Sequence, residues 1–128
     1  MNATVDGSAR NGLAGEAIAT LAEIAESNQS WPVMAAKYGV DNPLPPWKTS
    51  LDGMCDALDA ASCAVAVDFT FKDRRDEEDA LSATRYEQLP YPENQLLALA
   101  HSLVARGVID EVELRQRLGV IRARLEAE

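Results

Sequence analysis

Apolar residues recurring at three- and four-residue steps, capping signals between them, and no second segment to pair with the one strand-like stretch predict an all-α fold. The expected architecture is a compact bundle of about five helices joined by extended Pro-rich connectors. The chain has 128 residues. That length fits one domain, which buries about two thirds of its unfolded surface and needs neither disulfides nor a structural metal. Hydrophobic residues make up 47% and charged residues 26%, ordinary globular usage that excludes wholesale disorder and low-complexity classes.

The elements follow in order. Residues 1–12 contain Gly7, Ser8, Asn11 and Gly12 and no helical or strand period, so a flexible N-terminal arm is expected there. Leu13, Ala17, Ile18, Leu21, Ile24 and Ala25 recur on one face from Leu13 to Glu26, with Glu16, Glu23 and Glu26 elsewhere, which predicts an amphipathic helix. Ser27-Asn28-Gln29-Ser30 ends it, Trp31-Pro32 opens a second short helix, and Gly39 stops that one. Asp41 to Pro46 holds three prolines and is a connector.

After Trp47, the spacing of Leu51, Met54, Cys55, Leu58, Ala61, Cys63 and Val65 predicts a helix from Ser50, its expected N-cap, to Asp68. Val65 to Phe71 also alternates like a strand, without a partner to pair with. Lys72 to Asp79 is a run of eight charged residues, expected as an exposed loop or solvated turn because so many charges resist burial. Thr84 to Pro92 reads as extended, with Pro92 opening the clearest helix, whose stripe is Leu96, Leu97, Leu99, Ala100, Leu103 and Val104. Gly107 is its expected left-handed stop. Asp110 and Glu113 then form a capping-box pattern, with Val108-Ile109 as a staple toward Leu114. The last helix carries Leu114, Leu118, Ile121 and Leu125, and its Arg115, Arg117, Arg122 and Arg124 read as a solvated face.

Charge and motifs restrict function. With 12 Lys and Arg against 21 Asp and Glu, the net charge is −9, which repels a phosphate backbone and argues against nucleic acid. Apolar runs such as Cys63 to Val67 are far short of the roughly 20 residues that span a bilayer, and the N-terminus lacks a basic-then-apolar leader. A cytoplasmic protein that binds no membrane is expected. Cys55 and Cys63 on one helix would lie about 12 Å apart along its axis, beyond disulfide reach, so free thiols are expected.

No dinucleotide, phosphate-loop, nucleophile-elbow or zinc-protease motif occurs. His101 is the single histidine, so a histidine triad or multi-histidine metal site within one chain is excluded. It reads as a structural group on the apolar helix, with proton chemistry beside Glu93 as the alternative. Cys55, Asp59 and Cys63 share a helix face but spread over about 12 Å, too far to close on one ion. No catalytic, cofactor-binding or metal-ligating residue is assigned. The aromatics Trp31, Tyr38, Trp47, Tyr86 and Tyr91 sit in or beside Pro-rich or Gly-bounded segments, where such rings close a core or anchor a partner.

Residues Arg85 to Leu118 resemble the helical part of nitrile hydratase and thiocyanate hydrolase β-type subunits. In that family a Tyr-x4-Tyr stretch leads into an apolar helix ending Leu-Val-x-x-Gly-Val, followed by Asp-Glu-x-Glu-Leu-x-x-Arg. The corresponding elements here are Tyr86 and Tyr91, Leu103 to Val108, and Asp110 to Arg117. Pro46-Trp47 before the Leu51 to Leu58 helix is similar to the Pro-Trp that opens the first core helix of the family's small accessory proteins. Together these cover roughly half the chain. The family's β subunits continue into a small β-barrel, whereas this sequence ends at Glu128 with the helices, and Pro92 stands where the family has an aromatic.

The resemblance implies a single helical nitrile hydratase β-like domain over residues 13–128. It implies a noncatalytic partner for a metal-bearing α-type catalytic subunit. The metal, cobalt or iron, is carried by that subunit on a Cys-x-x-Cys-Ser-Cys claw that two separated cysteines cannot form, and no cofactor is held stably by this chain alone. The implied roles are an accessory metallochaperone or activator, favoured by size, or a small structural β-type subunit. Partner-interface residues are expected to be Trp47, Tyr86, Tyr91 and His101. An independent small-molecule binder or enzyme using His101, a plain interaction module, and a homo-oligomer remain the other possibilities.

Overall fold

In the computed structural model the described residues are 16–27, 30–41, 44–64 and 69–127, and they form six helices. The expected N-terminal arm, the first residues of the Leu13 to Glu26 helix and the strand-like 65–68 lie outside them. The helices are α1 (Ala19–Glu26), α2 (Ser30–Lys37), α3 (Lys48–Ala64), α4 (Phe71–Ala83), α5 (Glu93–Ala105) and α6 (Glu111–Glu126). There is no strand among the described residues, so the all-α expectation holds, with α4 as the additional helix.

α5 is the axis because it is apolar around most of its circumference, the pattern of a helix enclosed by neighbours. Leu97 and Ala98 join Ile18, Leu21, Leu81, Tyr86 and Leu89 in one buried cluster. Leu99 and Leu103 join Leu51 and Cys55 in a second, against which Trp47, Leu58, Phe69 and Ile109 pack. Leu96 touches both clusters. α1 and α4 therefore cover one side of α5, and α3 covers the other.

Several local expectations are corrected. α1 begins at Ala19 after the extended Ile18, so Glu16 to Ile18 are not helical, contrary to expectation, and its Thr20 amide and hydroxyl donate to the Glu111 carboxylate at 3.2 and 3.0 Å. That remote carboxylate satisfies a first-turn amide of the kind helix starts leave unpaired. α3 starts at Lys48, two residues before Ser50, because the turn from Pro45 already closes on the Lys48 amide at 3.1 Å. Gly39 ends α2 with φ +66, as expected of a left-handed stop.

The largest correction is Lys72 to Asp79, which lies within α4 instead of forming a loop. Thr70 caps α4 through a capping box with Asp73. Arg74, Glu77 and Leu81, spaced three and four apart, put one face of this charged helix into the interior. Thr84 to Leu89 is also not extended. The Tyr86 amide donates to Leu81 O at 2.9 Å and the Leu89 amide to Tyr86 O at 3.1 Å, closing successive turns. Pro92 caps α5 rather than occupying its first helical position.

α5 stops where Gly107 adopts φ +76. The Gly107 amide donates to Val104 O and the Val108 amide to Leu103 O, both bonds of a Schellman motif. Asp110 then caps α6, accepting from the Glu113 amide at 2.9 Å. The reciprocal half of the expected box is replaced by a Glu113–Arg117 pair. The staple differs too: Val108 is exposed, while Ile109 and Leu114 pack against different clusters.

Candidate partner interface

The four aromatic and histidine positions separate into two places. Tyr86 and His101, at 2% and 0% exposure, form a pair inside the core. The Tyr86 hydroxyl and His101 Nδ1 share a 2.7 Å hydrogen bond, and the rings meet edge-on with centroids 5.7 Å apart. The inward turn at Leu81 O brings Tyr86 over α5, and full helical packing fixes His101. Burial pushes the Tyr86 phenol up to about 12, so it keeps its proton across the physiological range. With no exposed surface, His101 meets no substrate unless the core opens.

Trp47 and Tyr91 lie outside that pair and nearer the surface. Trp47 is partly buried against the second cluster, while Tyr91 is 59% exposed. Lys48, next to Trp47, places its ammonium 5.2 Å from the Tyr91 ring centroid, a cation–π contact. The same ammonium pairs with Asp52 one turn along α3. The Asp52 hydrogen bond raises the Lys48 pKa above its ordinary value, partly offset by desolvation. The result is a corner where the start of α3 meets the start of α5, with an aromatic ring displayed over a fixed cation. Aromatic rings with a polar handle suit a protein interface better than a catalytic cleft.

The framework that joins α3, α4 and the end of α5 uses ion pairs that periodicity of apolar residues does not reveal. Arg74 clamps the Asp59 carboxylate of α3 with Nε and Nη2 at 2.7 and 2.8 Å, and also meets Glu78 at 3.2 Å. These hydrogen bonds hold the Asp59 carboxyl below its ordinary value. Glu77 pairs with Arg106, whose guanidinium lies 4.4 Å from the Phe69 ring centroid. The legible signal was the spacing of Arg74, Glu77 and Leu81, which is that of a buried helix face.

Among the described residues cobalt or iron finds no fitting donor set. The buried Cys55 thiol is pushed up by desolvation, against the thiolate a metal requires, and Asp59 on the next turn is engaged by Arg74. Among the described residues no group of three or more His, Cys, Asp or Glu is placed to hold a metal ion. Nor is any helix of the described residues long and apolar enough to cross a membrane.

No curated protein and no solved structure matches the chain. Residues 35–127, from within α2 to the end of α6, match the family described as nitrile hydratase beta subunit, N-terminal. This stretch contains the aromatic corner, the Tyr86–His101 pair and the capped turn between α5 and α6, and the chain belongs to that family of β subunit N-terminal domains, a noncatalytic part of nitrile hydratase.

Proposed function

We propose that this chain is an accessory protein, a metallochaperone or activator, for a nitrile hydratase or thiocyanate hydrolase-like enzyme. It binds the α-type catalytic subunit in the cytoplasm and assists incorporation of cobalt or iron into that subunit. The observation carrying this reading is the family match over residues 35–127. The displayed Trp47–Lys48–Tyr91 corner supplies a contact surface, while Tyr86 and His101 act inside the core, in the fold that positions it. The donor chemistry of Cys55 and Asp59 supports placing the metal on the partner, so this chain acts by binding and orienting rather than by coordinating.

The second reading, a permanent structural β-type subunit, is favoured by the same match because the family is that of a subunit domain. Both readings require association with the α-type subunit. A chain substituted at Trp47→Ser and Tyr91→Ser, with helicity unchanged by circular dichroism, is expected to lose about tenfold or more in affinity for that subunit, since buried aromatic anchors dominate interface energies. Unchanged affinity places the contact elsewhere. Failure of the wild-type chain to bind at all removes both readings and favours an independent role.

A further inference from the structure

α6 presents an apolar seam that the described residues leave largely exposed. Leu114, Leu118, Ile121 and Leu125 recur at four, three and four, the a/d spacing of a coiled-coil face. Among the described residues only Leu114 of the seam packs against the core, and no residue of α6 is fully buried. Leu118 and Ile121 are 37% and 43% exposed, and Leu125 reaches 72%. Leu118 also shares a groove of about 270 Å³ with Ile24 of α1. Exposed a/d residues over successive turns are a face awaiting another helix.

The flanks specify which helix. Residues 114–125 contain four arginines and no carboxylate, within a chain of net charge −9. Arg115, Arg117, Arg122 and Arg124 each adjoin a seam residue, so both edges of the seam are basic. Three of them hold carboxylates from outside the strip: Arg115 with Glu23, Arg117 with Glu113 and Arg122 with Glu126, at 3.1, 2.9 and 2.9 Å. These pairs are exposed and individually weak, so a closer carboxylate can replace them. A second copy fits poorly, because Arg117 would meet an arginine across the seam in either a parallel or an antiparallel pairing.

We infer that the α6 seam docks an amphipathic helix of another protein whose apolar stripe is flanked by Glu or Asp. This holds whether or not that protein is the α-type subunit, because the corner at Trp47 and Tyr91 is a separate site. The test uses the full chain and two labelled synthetic peptides of three heptads with Leu at a and d, one carrying Glu and the other Lys at e and g. Fluorescence anisotropy is expected to show the Glu peptide binding about tenfold or more tighter, a preference that shrinks between about 50 and about 500 mM salt.

Leu118→Asp with Leu125→Asp should abolish binding. Arg117→Glu with Arg124→Glu should reverse the preference toward the Lys peptide, which keeps the test decisive should the first variant unfold. The inference is overturned if neither peptide binds, if both bind equally, or if the seam substitutions leave binding unchanged. It is also overturned if sedimentation shows a dimer that Leu125→Asp dissociates, since the occupant is then a second copy.

Discussion

α4 and α6 invert what their compositions suggest. α4 contains the densest charge in the chain and yet buries Arg74, Glu77 and Leu81, whereas α6 carries a regular leucine and isoleucine seam and buries no residue fully. The difference is position relative to α5. α4 lies beside α5, where Glu77 meets Arg106 and Arg74 reaches Asp59 of α3, so its charges are compensated inside. α6 leaves α5 at the Gly107 corner and touches the body mainly near its start, through Glu111 and Leu114. Hydrophobicity identifies a face that wants covering, and topology decides whether this chain covers it.

Substitutions on the two helices sharpen that contrast, and the largest effects belong to α4 and what it holds. Leu81→Ala removes a side chain at 1% exposure and is expected to cost about 3 kcal/mol in urea denaturation. Glu77→Ala leaves the Arg106 guanidinium without its carboxylate and should cost about 2 kcal/mol, far above the effect of removing an exposed acid. Tyr86→Phe deletes the bond to His101 and should cost about 1 kcal/mol by the same measurement. Leu125→Ala should stay within about 0.5 kcal/mol of wild type. A Leu125→Ala loss comparable to that of Leu81→Ala would mean that α6 is part of the core, and the contrast would fail.

Acid titration separates α4 from α6 by their ion pairs. Because Arg74 lowers the Asp59 pKa, the native state favours the ionised carboxylate more than the unfolded chain does. That stabilisation is present above the unfolded value of about 3.9 and is lost as pH falls through the lower folded value. Arg74→Gln should therefore flatten the acid limb of the stability profile below about pH 4, whereas Arg117→Gln on the exposed α6 should leave it unchanged.

Much of the architecture was legible because it depends on local chemistry: the α5 stripe, the Gly107 stop, the Asp110 cap and the Gly39 stop all read directly from residue type and spacing. α4 was not, since its stability depends on long-range partners, Asp59 and Arg106, that a charge count cannot see. The interface residues divided for a similar reason. Tyr86 and Tyr91 are five apart in sequence and alike in chemistry, but the turn hydrogen-bonded to Leu81 O sends one inward while the other remains at the surface over Lys48. Lys48 itself carried no sequence signal, because its part in the corner depends on the meeting of two helix starts.

The most direct measurement of the proposed role is the cobalt and iron content of an α-type subunit produced with and without this chain, together with the composition of the final enzyme. Metal is expected to appear only when this chain is co-produced, in a loaded enzyme from which the chain has departed. Equal metal content in both preparations, with no association at any stage, would contradict that role.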